Sequence, residues 1–217
     1  MTLPPVRVRA GCKFTRATAH ITQEERSMGT RHLTCVVKDG DYKVAQYGQW
    51  DGYYGGAGID ILSFLREKLN REKFLANLAQ TFQPDDGQIE TMNATLKAAG
   101  KSVAALYPSM SRDTGGDILE LIQNTIEPIP LSLDIEFAAD SLFCEYAYVV
   151  DFDKGTFEVF EGYNETPLAE GERFTFLNDK TKGKYHPVRH VKTYQLDALP
   201  TDEAFLSELE PQDEDEE

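Results

Sequence analysis

Cysteine is scarce and odd in number. Cys12, Cys35 and Cys144 share no spacing typical of metal ligands, which excludes a closed disulfide framework and points to a reducing, cytoplasmic compartment. No apolar stretch reaches the roughly 18 consecutive residues that a membrane-crossing helix requires, and none near the start resembles the apolar core of a secretory signal. Basic residues are few as well: 22 Lys+Arg stand against 37 Asp+Glu, a net charge of -15. A field of that sign repels phosphate backbones and anionic bilayers, so nucleic acid and membrane surfaces are disfavoured as partners. Tryptophan occurs once, as Trp50.

The charge is unevenly spread. Residues 1–27 carry five basic and two acidic side chains, and the last sixteen residues carry nine acidic and no basic ones. The run Thr201 to Glu217 ends in Pro211-Gln212-Asp213-Glu214-Asp215-Glu216-Glu217, whose composition predicts an acidic disordered tail. It would be a solubilising end or a dock for a basic partner. Residues 1–27, with Arg7, Arg9, Lys13, Arg16 and Arg26 among Pro, Thr and Ala, read as a disordered or extension segment, a presequence, a pro-segment, or an upstream extension of a start at Met28. A single domain over 28–200 is expected between these ends.

Within that domain, Leu33, Cys35 and Val37 alternate with Thr34, Val36 and Lys38. Asp39-Gly40 interrupts, and Tyr42 to Tyr47 resumes the β-rich pattern. Asp-Gly between two such runs predicts a two-residue hairpin turn, since a type I′ turn needs positive φ at both central positions. A second hairpin is expected from Phe143–Val150 and Thr156–Glu161, with Gly155 at a left-handed turn position. Helical spacing appears from Ile59 to Leu69, Arg71 to Ala79, Gln88 to Ala99 closed by Gly100, and Asp117 to Thr125 stopped by Pro128 and Pro130. Weaker strands are expected at Arg173–Leu177 and Val188–Tyr194. Hairpins flanking a helical middle define an α+β fold, with the hairpins in one antiparallel sheet or in two stacked sheets.

The stretch Gly48-Gln49-Trp50-Asp51-Gly52-Tyr53-Tyr54-Gly55-Gly56-Ala57-Gly58 is the most distinctive in the chain, and it reads as an irregular aromatic loop. Glycines allow a ligand or another backbone to approach closely, and aromatic rings can stack on what arrives. Gln49, Trp50, Asp51 and Tyr53 are therefore candidate ligand-binding residues, with Arg31 as an anion holder; the alternatives are a loop that caps the core and an Arg31 paired with a surface carboxylate. The glycines at 52, 55, 56 and 58 match neither the dinucleotide fingerprint nor the phosphate-loop spacing. His186 and His190 lie four apart, but Pro187 argues against the helix that would make them a metal pair. Asp151 and Asp153 read as turn caps, and Cys35 and Cys144 as buried apolar residues. No cofactor is implied.

Met28-Gly29-Thr30-Arg31-x-Leu33-Thr34, followed by Tyr42-Lys43-Val44-Ala45-Gln46-Tyr47-x-Gln49-Trp50-Asp51-Gly52-Tyr53, resembles an uncharacterised family of phage and bacterial proteins opening M-G-T-R. The likeness covers residues 28–58 and, more loosely, 144–148. In that family proline commonly follows the tyrosine, where this chain has Tyr54. The resemblance implies Met28 as the usual start and assigns no activity.

Gly29-Thr30 before a first strand that turns at Lys38-Asp39-Gly40 is also similar to the layout of N-terminal nucleophile hydrolases such as proteasome β subunits. That likeness implies cleavage of the Gly29–Thr30 bond and attack by the Thr30 hydroxyl, with its own amine as base. Gln46 and Tyr47 stand where that pattern places an acid, and no lysine lies between Gly48 and Gly58. Two functions stay open at this level. One is a hydrolase-like domain acting on a small amide or peptide at Thr30; the other is a non-catalytic acidic binding protein, of phage or prophage type, that meets a small molecule or protein partner through the glycine loop. Whether the chain is an enzyme is left undecided by its sequence.

Overall fold

A computed structural model describes residues 29–181 and 183–210. The expectations for residues 1–28, Cys12 included, and for 211–217 lie outside the described residues. Asp39 and Gly40 both take positive φ, 56° and 78°, and Lys38 pairs with Asp41 across them. The two-residue turn expected from Asp-Gly is therefore present, joining β1 (His32–Lys38) to β2 (Asp41–Gly48). The second hairpin joins β3 (Tyr146–Asp151) to β4 (Thr156–Glu161), with Gly155 at φ 70°. Arg189–Gln195 forms β5, antiparallel to β4.

The hairpins share one five-stranded sheet in the order β2-β1-β3-β4-β5. They meet through a parallel ladder in which His32 to Val37 lie against Tyr146 to Asp151. The sheet is thus mixed, and its one parallel pair carries the long crossover that holds the helical middle. The fold is α+β.

Both faces are covered, so both sets of alternating side chains are apolar. On one face, Val36, Val44, Tyr148, Val150, Phe157 and Val159 pack against helices α1 (Ile59–Ser63), α2 (Arg71–Leu78) and α5 (Ile118–Asn124). On the other, Leu33, Cys35, Val37, Ala147, Val149 and Phe160 meet Ala138, Phe174, Leu177 and Val188 from irregular segments. Cys35 and Cys144 are buried free thiols. Asn77 Nδ2 donates to the carbonyls of Ile122, Gln123 and Thr125 at the end of α5, which ties α2 to α5 where backbone oxygens would otherwise be orphaned.

Three expectations are corrected. The glycine stretch is not wholly irregular: Tyr54–Gly58 winds into a wide helical turn, interrupted at Gly56, that runs straight into α1. Residues 173–177 are not a strand; Thr175–Lys180 is a 3-10 turn, whose three-residue period puts Phe174 and Leu177 on one buried side. The acidic run from Thr201 is not disordered throughout. Thr201 caps helix α6 (Asp202–Leu209), and Phe205 is fully buried, stacked 6.1 Å from Phe157 and edge-on to Tyr54. One aromatic ring outweighs the charge of its neighbours because α6 is amphipathic and its acids face solvent.

Asp151 caps its turn as expected, accepting from the amides of Asp153 and Lys154. Its other oxygen takes a 2.6 Å bond from Arg173, which also grips Glu158. All three side chains are almost excluded from solvent. Removing the guanidinium would strand two buried carboxylates, so Arg173→Ala is expected to cost about 3–5 kcal/mol. Urea unfolding checks it; a loss below 1 kcal/mol would mean that the cluster is solvated.

Candidate functional site

His32 opens β1 on the helix-covered face, two residues before Thr34 and opposite Gly48. A strand start normally carries a polar side chain outward. Here the glycine loop and residues 111–117 fold over it, and His32 is 2% exposed, its two ring nitrogens shut off from solvent and the Thr30 carbonyl the backbone group that acts on the ring. The fit depends on glycine. A Cβ on Gly48 would stand 2.2 Å from His32 Cε1, and one on Gly115, which also has positive φ, would stand 2.8 Å away. Tyr148 meets the ring edge-on at 6.4 Å and fixes the loop above by donating to Gly52 O at 2.8 Å.

Two loops are joined across this floor. Gln49 N donates to Arg112 O, and Trp50 Nε1 donates to Asp113 Oδ1 at 3.0 Å. Between them lies a cavity of ≈ 130 Å³ floored by His32 and bordered by Trp50, Asp51, Asp60, Arg112, Asp113 and Asp117. Asp51 holds a left-handed φ of 52° while its carbonyl accepts from Ala57 N at 2.7 Å, a backbone state that a non-glycine residue adopts at a cost.

The floor continues as a buried polar strip. Thr34 follows His32 on the same face and pairs with Gln46. Gln46 Nε2 donates to Ser111 O, but Thr34 Oγ1 and Gln46 Oε1 have no partner among the described residues. An unpaired buried polar atom costs about 1–3 kcal/mol, so two neighbouring side chains with such atoms mark a place arranged for something other than stability.

Burial drives the His32 imidazole down to about 4, a hydrogen bond to the Thr30 backbone acting the other way. The ring is therefore neutral near pH 7, offering one N–H donor and one acceptor nitrogen. Asp60 is pushed above the usual carboxylate range by burial and then by the negative charges of Asp117 and Asp51, Lys68 acting the other way. Among the described residues, no group of three His, Cys, Asp or Glu side chains is placed to hold a metal ion. His190 instead pairs with Thr193.

Of the residues singled out from sequence, Trp50 and Asp51 border the cavity. Thr30 does not line the cavity; its carbonyl accepts from Gly52 N behind it. Gln49 is turned to the Tyr47 hydroxyl at 2.7 Å. Arg31 is held at the end of the β1–β3 ladder, bonded to Glu145 and lying 4.9 Å over the Phe143 ring. Tyr53 is exposed and covers Gly55. His32, Asp60 and residues 112–117 were not foreseen as site residues; Gly115-Gly116 carried the available signal but reads as a helix opening.

No family model, curated protein or solved structure matches this chain. The site therefore rests on its own geometry. Among the described residues no helix is long and apolar enough to cross a membrane. A larger groove of ≈ 1010 Å³ lies between Leu106–Ser109 and Thr125–Pro130; it is wide open and largely apolar, and Ser109 there is satisfied by Pro130 O. It lacks the unpaired buried groups that distinguish the His32 cavity.

Since the folded state lowers the imidazole from 6.5 to about 4, its contribution is fully present above pH 6.5 and is lost as pH falls toward 4. Wild type should lose about 3 kcal/mol more than His32→Leu between pH 7 and pH 4. Urea unfolding at both pH values checks this, and parallel losses would place His32 in contact with solvent.

Proposed function

We propose that this chain is a binding protein whose small polar ligand sits between the glycine loop and residues 111–117, with neutral His32 as the buried recognition group. The observation that carries this reading is a cavity of ≈ 130 Å³ lined by the buried His32 and bordered by Trp50, Asp51, Asp60, Asp113 and Asp117. A ligand that supplies one acceptor or one donor there recovers free energy that the unliganded fold forgoes. Trp50, 43% exposed and bonded to Asp113 at the rim, is a built-in reporter as the single tryptophan. Phage or prophage origin and a docking role for the acidic end belong to the same reading.

His32→Leu keeps the bulk of the side chain and removes both ring nitrogens. It should raise stability by about 1–3 kcal/mol at neutral pH while abolishing ligand-induced changes in Trp50 fluorescence across a panel of small amines, acids and amides. A variant that is less stable than wild type, or that responds to ligands as wild type does, would remove His32 from the role.

A second reading keeps Thr30 as a nucleophile acting on a small amide or peptide. It is favoured by the place of Thr30 two residues before β1, its carbonyl held by Gly52 N. The intact mass of the purified protein decides it. A chain beginning at Thr30, lost in Thr30→Ala, is the expected result of self-cleavage, whereas a chain retaining Gly29 ends the nucleophile reading.

A further inference from the structure

We infer that helix α3 (Asp86–Ala99) is a self-association surface, on which a second copy of this chain lays the same helix in antiparallel orientation. The helix has well-formed ends. Asp85 and Gln88 close a reciprocal capping box at its start, and Gly100 stops it in the left-handed conformation at φ 60°. It has 14 residues, and none of them is buried. An isolated helix of that length is marginal in water, because most helical stability in proteins comes from covering an apolar face. Among the described residues, neither apolar core includes a side chain of α3. Its side-chain hydrogen bonds stay within the helix and its cap: Gln88 with Asp85, Thr91 to Gly87 O, and Thr95 to Thr91 O. The segment that carries it is tied down at one place. Phe82 bridges to Pro130 before α3, and after α4 (Val103–Leu106) the Ser109 hydroxyl donates to Pro130 O. Residues 83–108 thus leave and rejoin the rest of the chain at the same residue.

Ile89, Met92, Leu96 and Ala99 recur at alternating spacings of three and four residues, which keeps them on one side of the helix as the a and d positions of a short coiled-coil seam. Ile89 is 40% exposed, and Met92 and Leu96 are half-buried. The flanking charges select the occupant. Glu90 follows Ile89 and Lys97 follows Leu96, so the two lie on the same flank of the stripe, one heptad apart. Neither has an ion pair among the described residues. A parallel copy would set Glu90 against Glu90 and Lys97 against Lys97. An antiparallel copy sets Glu90 of each helix beside Lys97 of the other, giving two opposite-charge contacts related by one two-fold axis. The same reversal places Ile89 of each copy opposite Ala99 of the other, and Met92 opposite Leu96, so each layer of the seam is filled. A partner with one sign of charge would meet its own sign on that flank, whereas a second copy of α3 meets none. The seam is only four layers long, which makes the pairing concentration-dependent rather than obligate.

Sedimentation velocity on the full-length protein from about 1 µM to about 1 mM tests this, with amide hydrogen exchange over residues 86–99 read at both ends of the range. Monomer should pass to dimer as concentration rises, and the α3 amides should become about tenfold better protected in the dimer. Ile89→Glu and Met92→Glu change positions that the monomer does not bury, so both should keep the wild-type circular dichroism while holding the protein monomeric throughout. Glu90→Lys and Lys97→Glu each turn both charge contacts repulsive and should weaken dimerisation by about tenfold. The double variant Glu90→Lys/Lys97→Glu should recover the wild-type affinity. A wild-type chain that stays monomeric at the highest concentration overturns the proposal, as does a dimer that Ile89→Glu and Met92→Glu leave intact. A dimer lost in those two variants but indifferent to the charge reversals overturns the antiparallel arrangement. Protection of α3 that does not change with concentration means that its own chain covers the stripe, and overturns the proposal as well.

Discussion

The parallel ladder between β1 and β3 is the contact on which the rest of this structure depends. Each hairpin can form from local sequence, but a two-stranded ribbon alone buries too little to persist. Pairing residues 32–37 with 146–151 joins the two ribbons into one sheet with two coverable faces. Because parallel neighbours cannot be joined by a tight turn, everything between them becomes crossover: the glycine loop, α1, α2, α5 and residues 111–117. The candidate site lies at the start of that crossover, where the chain leaves β2 beside the first residue of β1.

Charge placement follows from the same plan. The acids that give the chain its balance of -15 are mostly at the surface, and two exceptions are informative. Asp151 and Glu158 sit inside with Arg173 and hold an irregular segment against the sheet. Asp51, Asp60 and Asp117 border a cavity with Arg112, and no ion pair joins them among the described residues. The first arrangement is closed and satisfied, and the second is open to solvent.

Local signals in the sequence translated directly into structure wherever the physics was local. Asp39-Gly40 made the two-residue turn, Gly100 took the left-handed position after α3 (Asp86–Ala99), and Asp151 capped its own turn. The reading failed where distant segments decided the outcome. Phe205 was hidden in an acidic run because its partners, Tyr54, Phe157 and Tyr194, lie far away in sequence. Phe174 and Leu177 fit a strand pattern but answer to a three-residue period. Trp50 and Asp51, singled out because glycines flank them, border the cavity, whereas His32 looks like an ordinary strand residue until Gly48, Gly52 and Gly115 are brought around it.

That enclosure ties three positions into one unit. The ring of His32 occupies the space that side chains at 48 and 115 would need, so neither glycine can acquire a side chain while the histidine remains. A smaller residue at 32 would release position 48, while the φ of 47° at Gly115 would still favour glycine there. Among descendants of a common ancestor, positions 32 and 48 should therefore change together or not at all, with 115 kept as glycine by its own backbone.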